Sequence, residues 1–240
     1  GILKKKIKDE DYYLLQAKVE PGNSSGIQLS PTIQATKSNY LRKHGGKRTN
    51  YLNFFTQKNK KNRVISNYRL SEQGTRYLNK SNRNILIDLK NQKIKKLNNF
   101  NLFNKKNLKY LLNKKNLLNM DTISVISCSI KKNKFDQPFN EISNLLRAIK
   151  NVKINTKISK KIISFKELKS WKILKDRIFD TKKNLFSILF LKIKSNSREV
   201  KQWSQPIISD HSISLNGFLI KKINNTNHYL LNAIQEPGQI

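Results

Sequence analysis

The chain has 240 residues, enough to bury a substantial core as one large or two modest domains. It carries 49 Lys and Arg against 15 Asp and Glu, a net charge of +34, with 37% hydrophobic residues. The single cysteine, Cys128, excludes an intrachain disulfide or a cysteine-based metal cluster and fits a reducing compartment. The longest apolar run, Leu185 to Leu191, is far short of the roughly 20 residues that cross a bilayer. No membrane partner is therefore expected, and no charged-then-apolar leader is visible.

In chain order, Gly1 to Val19 alternates apolar and polar residues around Asp9-Glu10-Asp11, the pattern of a β-hairpin that Pro21-Gly22 stops. Ile27 to Ser30 and Thr32 to Thr36 alternate again, with Pro31 bending the strand between them. Read that way, Gln28, Gln34 and Thr36 project from one strand face. Gly45-Gly46 marks a loop, and Val64 to Leu70 a strand. Ser71, followed by Glu72 and Gln73, predicts a capped short helix, and Asn84 to Leu89 a further strand. Leu108, Leu111 and Leu112, then Leu117 and Leu118, predict two short helices near Met120 whose leucines belong to the core.

Asn133 to Pro138 reads as a linker, and Glu141 to Lys150 as an amphipathic helix with Ile142, Leu145, Leu146 and Ile149 on one face. Ser164 with Glu167 has capping-box spacing, and Leu185 to Ile193 predicts a buried strand. Strands and helices alternate without the βαβ rhythm of a doubly wound sheet, so the expected class is α+β.

The opening recurs near the other end. Gly1 to Gly22 aligns without a gap to Gly217 to Gly238, about half of the positions being identical, and both stretches close on Glu-Pro-Gly. A repeat of this length is a domain duplication rather than a solenoid. The expected organisation is residues 1–132 as the C-terminal part of a first repeat, 133–140 as linker and 141–240 as the N-terminal part of a second. Gly1 stands where an initiator Met is expected, so the chain reads as an out-of-phase fragment of a two-copy protein.

The net charge invites a nucleic-acid reading, since basic surfaces gain free energy by releasing phosphate counterions. However, the lysines sit in spacers such as Lys58 to Asn62 and Asn113 to Asn116, among abundant Asn and Ile. That is the mark of AT-rich codon usage, while Arg and aromatic residues concentrate elsewhere. Glycine-rich dinucleotide loops, phosphate-binding loops, nucleophile elbows and paired zinc histidines are absent from the sequence. His44, His211 and His228 are isolated, and Cys128 lies in an apolar run that suits packing.

Three polar blocks differ from the spacers: Gln28 to Tyr40, Ser71 to Arg76 with Arg83-Asn84, and Arg198-Glu199-Val200 with Trp203 and Gln205-Pro206. Together they suggest a cleft for a polyhydroxylated or phosphorylated small molecule. These blocks, with Glu20-Pro21-Gly22, Asn119-Met120-Asp121 and Ser127-Cys128, closely resemble the nucleotide-hexose 2,3-dehydratase family, in family order over nearly the whole chain. The chain departs from the family pattern at Lys37, where Arg is expected. The family, itself an internal duplication, resembles the Nudix hydrolases in fold: a mixed sheet with flanking helices, twice repeated. The acid-rich metal helix of those hydrolases is missing from the sequence, so diphosphate hydrolysis is not expected.

The resemblance implies a dTDP-linked 4-keto-6-deoxyhexose as substrate, loss of its 2-hydroxyl, no cofactor and no metal. It implies Glu72, Tyr40 and His44 as candidates for proton transfer, with Lys37, Arg76 and Arg83 for diphosphate or enolate stabilisation. Gln34, Asn39, Gln73 and Asn84 would hydrogen-bond sugar or base, with Trp203 and Gln205 doing so from the second copy. A cytoplasmic homodimer is expected. The alternatives are a non-catalytic nucleotide-sugar binder and a basic nucleic-acid-binding protein.

Overall fold

The computed structural model describes residues 1–23, 26–43, 45–56, 62–129, 139–156, 158–182, 186–196, 198–210 and 212–239. His44, His211 and Asn133 to Pro138 fall outside these residues. The fold is α+β, with a mixed sheet and flanking helices, and it divides into two compact units.

The first unit comprises Gly1–Arg69, Arg83–Ile130 and Lys172–Ser209. Its main sheet holds β1 (Ile2–Ile7), β2 (Glu10–Val19), β3 (Ile27–Ser30), β4 (Arg63–Ser71), β5 (Ser81–Asp88) and β6 (Phe100–Asn104). The order is β3-β2-β1-β5-β4, with β6 also on β2; β1 runs parallel to β5 and antiparallel to β2. Strand β2 shares one edge between two neighbours, pairing Tyr12 to Gln16 with β6 and Gln16 to Val19 with β3.

The sheet is covered on both faces, which explains adjacent apolar residues where a half-exposed strand would alternate. Ile2, Tyr13, Leu15 and Leu86 pack with Leu108 of α3 (Lys105–Leu112) and Val125 of α4 (Met120–Ser127). Leu3, Leu14, Ile85, Ile87 and Phe100 pack on the other face, against Tyr51 and against Phe54 and Phe55 of α2 (Leu52–Thr56). Asn104 caps α3 in a reciprocal capping box with Asn107. Leu117 and Leu118 precede α4 rather than forming a helix, because Leu29 N–H donates to the Leu117 carbonyl and holds that segment extended. Leu118 is buried as expected, but Leu112 is exposed.

The hairpin turn falls at Lys8-Asp9, one residue earlier than the acidic triplet suggested. Both residues have positive φ, at 44° and 65°, the conformation a two-residue turn needs to match strand twist. Beyond β3, the expected strand through Thr36 does not form. Pro31 has no N–H for the ladder, and the buried Thr32 hydroxyl takes another role. It accepts from Leu3 N–H at 2.9 Å and donates to the Leu14 carbonyl at 2.5 Å, bridging two residues that face each other across β1 and β2. Gln28 and Gln34 accordingly do not share a strand face: Gln28 donates to the Asn116 carbonyl, and Gln34 accepts from Asn119.

The same unit holds most of a smaller antiparallel sheet, ordered β10-β9-β8-β7, from β7 (Trp171–Ile173), β8 (Arg177–Asp180), β9 (Ser187–Lys194) and β10 (Gln202–Ser209). Strand β9 is half-buried rather than buried, since its residues alternate between partly buried and exposed.

The second unit comprises Leu70–Asn82, Lys131–Trp171 and Asp210–Ile240. Ser71 ends β4, and Gly74 to Arg76 makes a single turn in place of the expected helix. Glu72 N–H donates to the Lys80 carbonyl, its carboxylate takes the Asn82 amide, and Glu236 accepts from Gly74 N–H at 2.7 Å. Those bonds draw the segment into a closed loop. Helix α5 (Ile142–Asn155) forms as expected, with Ile142, Leu145, Leu146 and Ile149 exposed; Ser164 and Glu167 make their capping box around a short 3₁₀ turn. Strands β11 (Ile220–Ile223) and β12 (Thr226–Tyr229) form a hairpin turning at Asn224-Asn225, with φ of 48° and 61°. Its register and turn match those of β1 and β2 residue for residue, although Leu219 and Leu230 are exposed where Leu3 and Leu14 are buried.

Thr32→Val should remove the hydroxyl bridge at constant volume and leave Leu3 N–H and the Leu14 carbonyl unsatisfied in the core. Each such group costs about 1–3 kcal/mol, so a clear loss in denaturant stability is expected. Unchanged stability would show that the bridge contributes nothing net.

Candidate functional site

Within the first unit, two chain segments far apart in sequence face each other across a cavity of about 610 Å³. One wall comes from Thr36, from Asn39 of α1 (Lys37–Tyr40) and from the loop that follows it, which contributes Arg42, Gly46 and Lys47. The other comes from Arg198, Glu199 and Val200 and from the start of β10, with Trp203 and Gln205.

Backbone contact joins the walls. Lys47 N–H donates to the Glu199 carbonyl at 3.0 Å. A Cβ on Gly46 would lie 2.9 Å from that same carbonyl oxygen and 3.0 Å from Val200 Cγ2, so only glycine allows this approach. Arg42 sits at φ 56° and donates from Nε to the Gly46 carbonyl, folding the loop back on itself.

Three cations, Arg42, Lys47 and Arg198, line the cavity with one carboxylate, Glu199, among the described lining residues. Trp203 is half-buried and donates from Nε1 to Gln205 Oε1 at 2.6 Å; the residues are two apart on β10 and so share a face. The Arg198 guanidinium carbon stands 5.9 Å from the centre of the Trp203 ring, within cation–π range. The wall thus offers an aromatic face beside a planar donor fork, suited to a ring and an anionic group on one ligand.

Behind Arg198 lies a compact ion cluster. Glu20, just past the end of β2, accepts on one oxygen, Oε1, from Lys18 Nζ at 2.7 Å and from Arg198 Nη1 at 2.9 Å. Lys18 is buried, and Asn119 donates to Ser30 and Gln34 while its Oδ1 caps α4 through Thr122 N–H. Burial lowers the Lys18 ammonium from its ordinary value against the pull of Glu20. For Glu20 burial acts to raise the carboxyl, but Lys18 and Arg198 outweigh it and hold it below the usual carboxylate range.

Of the residues singled out from sequence, the cavity brings together Asn39, Trp203 and Gln205. Lys37 and Tyr40 lie in α1, and Gln34 is committed to Asn119. Arg83 on β5 is exposed and donates to Asn67 at 2.8 Å, while Asn84 beside it is buried. Glu72, Gln73 and Arg76 belong to the second unit, where Arg76 pairs with Asp210. Sequence reasoning passed over Arg42 and Lys47, named Glu20 only within its Glu-Pro-Gly block, and placed Arg198 and Glu199 in a polar block of the expected cleft without assigning either a role. The arginine signal that flagged Arg76 and Arg83 applied equally to Arg42 and Arg198. Cys128 caps the end of α4, and burial raises its thiol, which disfavours the reactive thiolate. Among the described residues no group of three or more His, Cys, Asp or Glu is placed to hold a metal ion, and no helix is long and apolar enough to cross a membrane.

The sequence profile of the NDP-hexose 2,3-dehydratases matches residues 1–129 and 142–240. The chain belongs to that family. It is 29% identical over 99% of its length to the dTDP-4-dehydro-6-deoxy-alpha-D-glucopyranose 2,3-dehydratase of Amycolatopsis orientalis, covering 50% of that protein. It is 31% identical, again over 99% of its length, to the enzyme of the same name from Streptomyces violaceoruber, covering 56% of it. The homologue from Saccharopolyspora spinosa, with the same name, is 29% identical and covered to 53%. The chain therefore spans about half the length of the curated relatives it matches. Both walls of the cavity lie inside the matched residues of this dehydratase-family chain.

Gly46→Ala is expected to force the two walls apart and to weaken binding of any ligand that contacts both, with little effect on the main sheet. Comparing ligand affinity with far-ultraviolet dichroism checks this. Acid should act through Glu20. Because its folded carboxyl lies below the ordinary 4.5, its stabilisation is complete above that value and disappears as pH falls beneath it. Melting temperature followed from pH 6 downward should therefore fall less steeply in Glu20→Gln, an experimental range set by the carboxylate titration.

Proposed function

We propose that the protein acts in a sugar-nucleotide 2,3-dehydratase, removing the 2-hydroxyl of a dTDP-linked 4-keto-6-deoxyhexose. The observation that carries this reading is the basic, tryptophan-walled cavity built from the blocks matched by the family profile. Its volume falls in the range of small-molecule sites, roughly 300–1,000 Å³. Trp203 offers a stacking face for the thymine ring, while Arg42, Lys47 and Arg198 provide donors for the diphosphate.

The chemistry needs a base, an acid and a stabilised oxyanion. The 4-keto group acidifies the hydrogen on carbon 3. A base takes that proton, and the electron pair moves onto the carbonyl oxygen, giving an enediolate. The carbonyl at carbon 4 then re-forms, the pair of the double bond between carbons 3 and 4 becomes the second bond between carbons 2 and 3, and the bond from carbon 2 to oxygen breaks, the 2-hydroxyl leaving as water with a proton from an acid. Protonation at carbon 2 and loss of the enol proton yield the 3,4-diketo-2,6-dideoxy sugar. Electrons balance without an external oxidant or reductant, so no cofactor is called for.

Glu72, Tyr40 and His44 are proposed for proton transfer, and Glu199 joins them as the carboxylate of the cavity wall. Lys37, Arg76 and Arg83 are proposed for the diphosphate or enolate; the cavity cations Arg42, Lys47 and Arg198 are proposed for the diphosphate on their own account. Gln34, Asn39, Gln73, Asn84 and Gln205 are proposed to hydrogen-bond sugar or base. The matching hairpins support a duplicated architecture, with residues 1–132 and 141–240 as parts of two copies. We take the protein to be a cytoplasmic homodimer; sedimentation at the mass of one 28.1 kDa chain would overturn the dimer.

Incubation with dTDP-4-keto-6-deoxyglucose in deuterated water should give a product lighter by one water and carrying deuterium at carbon 2. Replacing the true base or acid by Glu72→Gln, Tyr40→Phe or Glu199→Gln should lower turnover about 10²–10⁴-fold. Tight binding without turnover would favour a non-catalytic sugar-nucleotide binder. Affinity for oligonucleotides that exceeds affinity for dTDP and falls steeply with salt would favour the nucleic-acid reading.

A further inference from the structure

We propose that Glu20 is a positioning residue for the cavity: its carboxylate fixes the Arg198 guanidinium against the Trp203 face, preorganising the wall that receives the nucleotide. This rests on the sugar-nucleotide reading given above.

The argument begins with how Glu20 is itself held. Its Oε1 accepts a hydrogen bond from Lys18 Nζ at 2.7 Å, and Lys18 is buried at the end of β2, where it pairs in register with Gln28 of β3. The anchor is therefore set by the main sheet and not by a flexible loop. The same oxygen then takes Arg198 Nη1 at 2.9 Å from a segment 178 residues further along the chain. Arg198 is mostly buried, at 17% exposure, and its Nε lies 4.0 Å from Glu199. One carboxylate shared by two cations gives the Lys18-Glu20-Arg198 cluster one net positive charge, which Glu199 beside Arg198 Nε offsets in part from 4.0 Å. An anion in the cavity meets a cation already held in place.

A long arginine side chain loses rotamer freedom when it binds a ligand. Restraining it beforehand transfers that cost from binding to folding. Glu20 reaches the ligand only through Arg198, so it positions and does not contact. The cluster also explains why a buried lysine is tolerated at the end of β2: its counter-ion is the residue that orients the wall.

The test uses dTDP as the probe and Trp203 emission as the readout, in a Trp171→Phe background so that Trp203 is the sole indole. Glu20→Gln should weaken dTDP binding about tenfold and change Trp203 emission before any ligand is added. Arg198→Ala should weaken binding to a similar degree. The double variant should be no worse than Arg198→Ala alone, since the two residues act in series. Glu20→Asp should recover part of the affinity. If the unsubstituted protein fails to bind dTDP, the sugar-nucleotide reading falls and takes this inference with it. Binding by the unsubstituted protein with unchanged affinity in Glu20→Gln overturns the inference alone, as do additive losses in the double variant. If Glu20→Gln does not fold, Arg198→Lys carries the test: it keeps the charge but loses the planar fork, so a comparable loss of affinity is expected and unchanged affinity overturns the proposal.

Discussion

Strand β2 is longer than any one of its neighbours can cover, and the first unit is organised around that mismatch. Its first half lies in the core, where Tyr13, Leu14 and Leu15 fill both faces of the sheet. Its second half runs on beside β3 and carries Lys18 outward to the edge of the core, with Glu20 just beyond. The hydrophobic demand that fixes the register in the first half thus fixes where two charges emerge in the second. A one-residue slip would turn every side chain to the opposite face, and Lys18 and Glu20 would together turn away from Arg198. Packing and electrostatics are set by one register.

A second consequence of that register is the route taken by Pro31 to Gln34. The segment departs from the sheet but stays tied to it, through the Thr32 hydroxyl between Leu3 and Leu14 and through Ile33 N–H on the Gly1 carbonyl. Asn119 secures it from the other side by linking Ser30 and Gln34 to the cap of α4. Thr36 and α1 therefore leave from a fixed point, and the cavity wall inherits that rigidity although it is itself a short helix and a loop.

Local pattern was enough where apolar alternation, helical period or cap spacing marks the element, even for β5, whose partner β1 is remote. The opening hairpin, β4, β5, α5 and the Ser164 capping box all follow from alternation, period or cap spacing. It misled where distant partners intervene. Ser71 to Arg76 has the residues of a helix start, yet Glu236 and Lys80 claim its donors. Thr32 to Thr36 alternates like a strand, yet Pro31 and the Thr32 bridge take it out of the ladder. The site was legible as blocks and not as a place. Trp203, Gln205 and Asn39 stood out from the lysine background. Glu20 stood out only as part of a repeated Glu-Pro-Gly, because nothing near it in sequence indicates Arg198 as its partner.

That separation also fixes an order of events. The main sheet closes with β6 at Asn104 and its covering helices end at Ser127, whereas the far wall of the cavity starts at Arg198. Contacts between remote segments form late, after the nearer ones have paid little loop entropy. On the ribosome, a chain that ends before Arg198 already contains every strand of the main sheet together with Lys18 and Glu20, but lacks one wall of the cavity. Scaffold and site thus draw on separate stretches of chain made at different times, and the Glu20 carboxylate is where the second joins the first.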